Sequence, residues 1–411
     1  MSLGLKLYLA GAKREGRDVP PDAQQLRLAR PAGRLIWLHI SESQELSAAK
    51  ELIRLLSAEP GPLAFLLTTG AGLPVDPSGV PHCDQPCLHI PAPADTPQQV
   101  AAFLEHWRPT LAVWLGGHLR PALIVGAQER RIPLLLLNMR HRAQIDGRTR
   151  HGKGIMRDLL GLFDHIMAAN GSVAFELSKQ GAAADALKVC GVLQEGGDTL
   201  YCDERDRNEL AEILASRPVW LAANLSADEE QTIIAAHHLV SRTAYRLLLI
   251  LVPQDPGRGD ALAQALTAQG WIVAQRSQYQ DPDANVQILI ADTEEEMGLW
   301  LRLSPICFLG QSLTENASGQ SPLSAAALGS AILHGPYIAR HQASYARLQQ
   351  AGAAHQVADA QQLASRVEHL LAPDQAAAMA SAGWEVVTAG AEAADQALEV
   401  ITAILDETED R

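Results

Sequence analysis

Residues Ile306-Cys-Phe-Leu309 form a short apolar run that stops at Gly310-Gln-Ser-Leu313. Ser318-Gly-Gln-Ser-Pro322 then opens a small-residue stretch that leads to a second apolar run, Ala331-Ile-Leu-His334, closed by Gly335-Pro336. A short apolar run bounded by glycine and feeding a helical stretch reads as a buried strand, a turn, a helix and another strand. Two strands joined through a helix lie parallel. Such a turn places backbone N–H groups at a helix N-terminus, where proteins commonly hold phosphate, so an anionic ligand is expected here.

The same alternation runs through the whole chain. Strands are expected at Leu35–Ile40, Leu63–Thr69, Leu111–Leu115 and Pro133–Asn138, with further candidates at 163–169 and 187–192. Helices are expected over Glu45–Leu56, Val100–Trp107 and Pro121–Arg130. The pattern restarts with strands at Val219–Ala223, Arg246–Val252, Trp271–Ala274, Val286–Ala291, Ile306–Leu309 and Ala331–His334. Strands alternating with helices imply parallel sheets covered on both faces, here as two halves joined near 195–217. No Gly-x-Gly-x-x-Gly follows the first strand and no P-loop is present, which weakens a nicotinamide-enzyme reading.

A chain of 411 residues suits two domains of about 200 residues each. With 47% hydrophobic and 19% charged residues it is globular in composition. No run approaches the ~18 to 20 apolar residues of a spanning helix. The net charge of −14 argues against nucleic acid as a partner. Five cysteines, an odd number, fit reduced cytoplasmic thiols better than a disulfide framework. His82, Cys83, Cys87 and His89 have the residue types of a zinc site, although Cys87–Ile90 also reads as a strand with His89 pointing away from its neighbours.

Two basic segments interrupt the acidic background. Residues 1–34 carry seven Lys/Arg against Glu15, Asp18 and Asp22, behind an apolar Leu3, Leu5, Leu7, Tyr8 and Leu9. This segment is either a short interfacial anchor or a terminus docked on the body. Between 140 and 157, Arg140, Arg142, Arg148, Arg150, Lys153 and Arg157 face only Asp146. Six cations in one segment repel one another unless an anion answers them, and the other reading is a solvated basic face.

The motifs resemble those of the 3-deoxy-D-manno-octulosonic acid (Kdo) transferases. That family's Gly-Gly-Ser-Leu, Gly-His-Asn-Pro-Leu-Glu-Pro-Ala and Gly-Pro frame is matched by Gly310-Gln-Ser312-Leu313, Gly319-Gln-Ser321-Pro322-Leu-Ser-Ala-Ala326 and Gly335-Pro336. Its His-Ala-x-Ser-x-Gly-Glu is similar to His39-Ile-Ser41-Glu-Ser-Gln-Glu45, and its Val-Pro-Arg-His-Pro-Glu-Arg to Val252-Pro-Gln-Asp-Pro-Gly-Arg258. The resemblance, which covers roughly 30–395, implies a glycosyltransferase-B fold of two Rossmann-like domains facing a central cleft. Residues 31–200 would bind the acceptor and 215–395 the nucleotide sugar. Residues 1–30 would form the N-terminal segment and 396–411 a C-terminal tail.

It further implies transfer of Kdo from CMP-Kdo to a lipid A precursor, on the cytoplasmic face of the inner membrane, with no metal or cofactor besides the donor. Glu45 would be the general base, since a sugar hydroxyl attacks well only when a carboxylate accepts its proton. Glu42 is its nearest competitor. The acidic first turn of a helix is the plain alternative for Glu45. Arg258, Thr293 as a helix cap, Gly310, Ser312, Gly319, Ser321 and Pro322 would meet the donor. His39, Ser41, His118 and the arginines 140, 142, 148 and 150 would meet the acceptor.

Several positions depart from the pattern. The Gly before the catalytic Glu is Gln44, which would strain a turn needing a positive φ. The second acidic motif, Met-Glu-x-Glu-Leu-Trp-Pro-Asn, has become Leu115-Gly-Gly-His118-Leu-Arg-Pro-Ala122. Gln254 replaces an arginine and cannot grip phosphate with a bidentate fork. Gln320, Ser321 and Ser324 replace His, Asn and Glu. These losses leave two other readings open: a repurposed binding protein, and a transferase using a different nucleotide sugar.

Overall fold

A computed structural model describes residues 1–15, 27–70, 85–145, 153–194, 196–197, 200–215 and 217–409; the side chains of 15, 153, 408 and 409 lie outside this description. The chain divides into two units, Met1–Glu195 with Ala389–Arg411, and Gly196–Thr388.

The first unit is a seven-stranded sheet. Its strands are β1 (Arg34–Ile40), β2 (Leu63–Thr69), β3 (Cys87–Pro91), β4 (Leu111–Leu115), β5 (Leu134–Met139), β6 (His165–Ala168) and β7 (Leu187–Val189). They pair in the order 3-2-1-4-5-6-7, every pair parallel. All seven residues of β2, and all but the first of β1, are buried, as expected where helices cover both faces. The order reverses between β1 and β4, and open sheets of this kind bind ligands in the crevice beyond the strand ends at such a point.

The second unit repeats the plan with β8 (Val219–Leu225), β9 (Leu248–Pro253), β10 (Val273–Gln275), β11 (Ile288–Ile290), β12 (Ile306–Leu309), β13 (Ala331–His334) and β14 (Ala354–Gln356). The order is 10-11-9-8-12-13-14, again all parallel. The reversal here falls between β8 and β12. The 306–336 segment therefore forms the strand, turn, helix and strand expected of it, with its turn at the reversal. Gly335 is obligatory, because a Cβ there would lie 2.0 Å from the Ser312 carbonyl oxygen.

Two boundaries differ from the sequence expectation. The expected tail at 396–411 is, over its described residues 396–409, no separate element: it is the end of helix Pro373–Glu409, whose Ala393, Ala397, Ile401 and Leu405 recur on one face and pack into the core of the first unit. Nor do residues 1–15 stand apart. They form a helix, Leu3–Glu15, with Leu5 and Ala12 buried, Tyr8 and Leu9 packed inward, and the Tyr8 hydroxyl 3.0 Å from Asp95 Oδ2. Leu3 and Leu7, by contrast, are 74% and 64% exposed. The strand Cys87–Pro91 accounts for Cys87 and His89, and His82 and Cys83 lie outside the described residues. Among the described residues no group of His, Cys, Asp and Glu is arranged to hold a metal ion, and no helix is long and apolar enough to cross a membrane.

Candidate functional site

At the β1–β4 reversal the chain leaves β1 through Ser41 and Glu42 into a single 3-10 turn, Ser43–Glu45, and then helix Leu46–Ser57. Gln44 lies within that turn and is not among the residues with positive φ, so the expected strain is absent. Ser41 ties the two strand ends together: its N–H and its Oγ donate to the Leu115 carbonyl, at 3.0 and 2.8 Å. Gly116 follows with φ +89°. A Cβ on it would lie 2.5 Å from Ser41 Oγ and 3.2 Å from Glu42 Oε1, so only glycine fits.

The Glu45 carboxylate is fully buried. Asn138 Nδ2, at the end of β5, donates to one oxygen, and Arg140 Nε lies 3.3 Å from the other. Asn138 adopts the left-handed φ of +59°, and its amide is braced by the Leu193 N–H and carbonyl at 3.0 and 3.1 Å. Burial pushes the Glu45 carboxyl above the ordinary range, against the opposing pull of Arg140 and Asn138. Glu42 moves the other way. Burial opposes its charge too, but the Gly117 N–H at 3.1 Å and His141 at 3.2 Å outweigh it and lower its pKa.

Of the residues expected on this side, Glu45, Ser41, His118 and Arg140 gather at one corner. The His118 ring lies 6.5 Å from that of His141, and the His118 backbone N–H donates to Ser41 Oγ at 3.4 Å. Arg142 is exposed next to them. His39 is not part of the group. On alternating β1 it points inward, its ring 4.0 Å from that of Trp114 and its Nδ1 2.9 Å from Thr68 Oγ1. Burial, reinforced by the charge of Arg120, holds it neutral. Arg148 and Arg150 lie outside the described residues. The sequence reading missed Asn138 and His141; the arginines around them drew attention to charge alone.

At the β8–β12 reversal the structure corrects the expected phosphate grip. The Gln311, Ser312 and Leu313 N–H groups do converge, but on the Glu229 carboxylate, at 2.6, 2.7 and 2.9 Å. Ser226 adds its N–H and hydroxyl at 3.1 and 3.0 Å, and Glu229 is fully buried. Ser312 is likewise fully buried, its Oγ donating to Leu309 O and accepting from Gly335 N. Gly310 lies so close to β8 that a Cβ would meet Asn224 O at 2.7 Å. Gly319, at φ +73°, and Gln320 close the turn, Gln320 Nε2 donating to Ala223 O at 2.9 Å and its Oε1 accepting from Asn224 at 2.9 Å.

Ser321 and Pro322 lead into the short helix Leu323–Ala327, with Ser321 Oγ 3.5 Å from Leu323 N. Arg258 ends the 3-10 turn Pro256–Arg258 that follows β9 and engages Glu230 in a bidentate pair, at 3.0 to 3.2 Å. Thr293 does not cap the next helix. That helix, Met297–Leu303, has Glu296 at its N-cap without a side-chain bond, and the Thr293 hydroxyl donates to the Glu296 carboxylate, which Arg276 also holds.

Two doubly wound parallel units, each with a polar cluster at its strand-order reversal, define a glycosyltransferase-B type α/β protein. Residues 15–194 match the family described as 3-deoxy-D-manno-octulosonic acid transferase (kdotransferase). A probable mitochondrial 3-deoxy-D-manno-octulosonic acid transferase of Arabidopsis thaliana is 29% identical over 340 residues, 78% of this chain and 73% of that protein. The Bordetella pertussis transferase is 25% identical over 377 residues, 89% of this chain and 86% of its own. Among solved structures, the C-terminal CMP-Kdo binding domain of WaaA from Acinetobacter baumannii is 28% identical, covering 44% of this chain and 96% of that one with a TM-score of 0.43. Over most of its length the chain is thus similar to the Kdo transferases.

Proposed function

We propose that this protein is a glycosyltransferase that moves Kdo from CMP-Kdo to a phosphorylated lipid A-type acceptor, with Glu45 as the general base. The observation that carries the reading is the Glu45, Asn138 and Arg140 cluster at the β1–β4 reversal. An acceptor hydroxyl attacks the anomeric carbon, the bond from that carbon to the CMP phosphate oxygen breaks, CMP leaves with the electron pair, and Glu45 takes the hydroxyl proton. A carboxylate with raised pKa accepts a proton more readily near neutral pH, which suits Glu45 to this part.

On the donor side the N–H groups of 311–313 are already satisfied, so Gly310 and Ser312 shape the floor of the site. Gly319, Ser321 and Pro322 are left to meet CMP, Arg258 would reach it by exchanging Glu230 for phosphate, and Thr293 would act through Glu296. Leu3, Leu7 and Lys6 on the exterior of the first helix would touch an anionic leaflet, in keeping with a peripheral place at the cytoplasmic face of the inner membrane. One observation favours a second reading, a binding protein without turnover: Glu229 and Glu230 occupy both of the anion-seeking features of the second unit.

Calorimetry with CMP-Kdo on wild type and Glu45→Gln, with turnover of a lipid A precursor in the same samples, separates the two. Binding by both with turnover only in wild type supports the transferase and its base. Acceptor binding without CMP-Kdo binding by well-folded wild type selects the binding protein.

A further inference from the structure

The corner that holds Glu45 contains a second pair, Glu42 and His141, to which the proposed reaction gives no part. Glu42 follows β1 and His141 follows β5, and both strands flank β4. The two meet over the end of β4 because Gly116 and Gly117 have no side chains. A Cβ on Gly117 would lie 3.0 Å from His141 Cε1 and 3.1 Å from Nδ1, and one on Gly116 would lie 3.2 Å from Glu42 Oε1. Thus Glu42 places its carboxylate where a side chain from residue 116 would otherwise run.

The hydrogen bonds around the ring decide its charge. His141 Nε2 is 3.2 Å from Glu42 Oε2, and Nδ1 is 3.2 Å from the Arg142 carbonyl oxygen. Both partners are acceptors only. A neutral imidazole would turn a lone pair toward one of them, whereas an imidazolium donates to both. Glu42 is fixed in turn by the Gly117 N–H at 3.1 Å and by Gln44 Nε2 at 2.9 Å. The other charged or titratable groups around the ring are Glu45 on the same turn as Glu42, His118 at the end of β4, and Arg140 and Arg142 on either side in the chain. The pKa direction agrees: burial lowers that of His141, but the Arg142 carbonyl, Glu42 and Glu45 raise it on balance.

We propose that His141, held as an imidazolium over Gly117 by Glu42 and the Arg142 carbonyl, is a binding residue of this site whose fixed positive charge, beside Arg140 and Arg142, receives a phosphate of the acceptor. Glu42 is then a positioning residue acting through His141. The inference rests on the acceptor reading above. The His141 side chain is 39% exposed and that of Arg140 28%, so both charges reach the surface of the corner. Arg140 and His141 are each balanced by one carboxylate, and exposed Arg142 leaves the corner with a positive excess.

Imidazole 15N resonances, followed against pH in the full chain without ligand, test the charge. His141 is expected to carry protons on both nitrogens at neutral pH, and its titration to fall by about one pH unit in Glu42→Gln. Calorimetry with a phosphorylated glucosamine disaccharide and its dephosphorylated counterpart tests the role. His141→Gln should weaken binding of the phosphorylated form about five- to tenfold, His141→Lys should keep it, and the dephosphorylated form should not distinguish the three. Circular dichroism verifies that each variant is folded. A neutral His141 at neutral pH, or phosphorylated disaccharide bound equally by wild type and His141→Gln, overturns the proposal alone; failure of the wild type to bind either disaccharide overturns the acceptor reading with it.

Discussion

Glu45 shows how much of one residue's role a local motif can carry. Its position after β1 at a strand-to-helix turn was legible, because the apolar run and the helix that follows fix where the carboxylate emerges. Its environment was not. Asn138 lies 93 residues away and reaches Glu45 only because β5 neighbours β4. That environment makes Glu45 costly to keep. A carboxyl whose pKa in the folded state exceeds its unfolded value contributes stability below the unfolded pKa and loses it as pH rises through the folded one. Wild-type stability should therefore decline relative to Glu45→Gln as pH climbs above the usual carboxylate range. Replacing one member of a buried pair by a neutral isostere leaves Arg140, which is partly exposed, free to hydrate, so Glu45→Gln should melt no lower than wild type at neutral pH. Turnover should fall by about 10²- to 10⁴-fold in the same variant. Thermal melts across pH beside rate measurements check both, and a Glu45→Gln protein that melts clearly lower at neutral pH would mean that the Arg140 and Asn138 contacts outweigh the cost of burial.

At the scale of elements, the 306–336 segment forms the strand, turn, helix and strand that its pattern predicts, but its turn is filled by a carboxylate of the chain itself. The turn does aim three N–H groups at one point, as its glycine and serine content suggested. The anion they meet is Glu229, at the start of the helix after β8 and 82 to 84 residues earlier in the chain. Nothing local to 310–313 announces that partner, since the contact exists only because β8 and β12 are neighbours. The same carboxylate accepts from Ser226, so it staples both strand ends of the reversal. Glu229→Ala leaves four buried or partly buried N–H groups and the Ser226 hydroxyl without their acceptor and should cost about 3 kcal/mol or more in denaturant unfolding. Glu229→Gln keeps one oxygen and should recover part of that loss. If Glu229→Ala were as stable as wild type and gained affinity for inorganic phosphate, the turn would be an anion site held shut by its own chain.

For the whole molecule, the doubled α/β plan followed from periodicity: apolar runs of strand length separated by helices leave few alternatives to parallel sheets. The unit boundary did not follow, because helix Pro373–Glu409 has continuous helical character and shows no break where it changes partners. Small alanines on its inward face give little local contrast, and only packing reveals that Ala389–Arg411 belongs with the first unit. Ile401 is fully buried there and Leu405 nearly so. Burying two such side chains is worth about 3 to 6 kcal/mol, comparable with the ~5 to 15 kcal/mol that stabilises a typical domain. A chain ending at residue 388 should accordingly lose the first unit before the second. Hydrogen exchange should rise across β1, β2 and β4 while β8, β9 and β12 stay protected, because the core under the second sheet keeps all its elements. Equal protection of both sheets after the truncation would show that the last helical turns cover the first unit without supporting it.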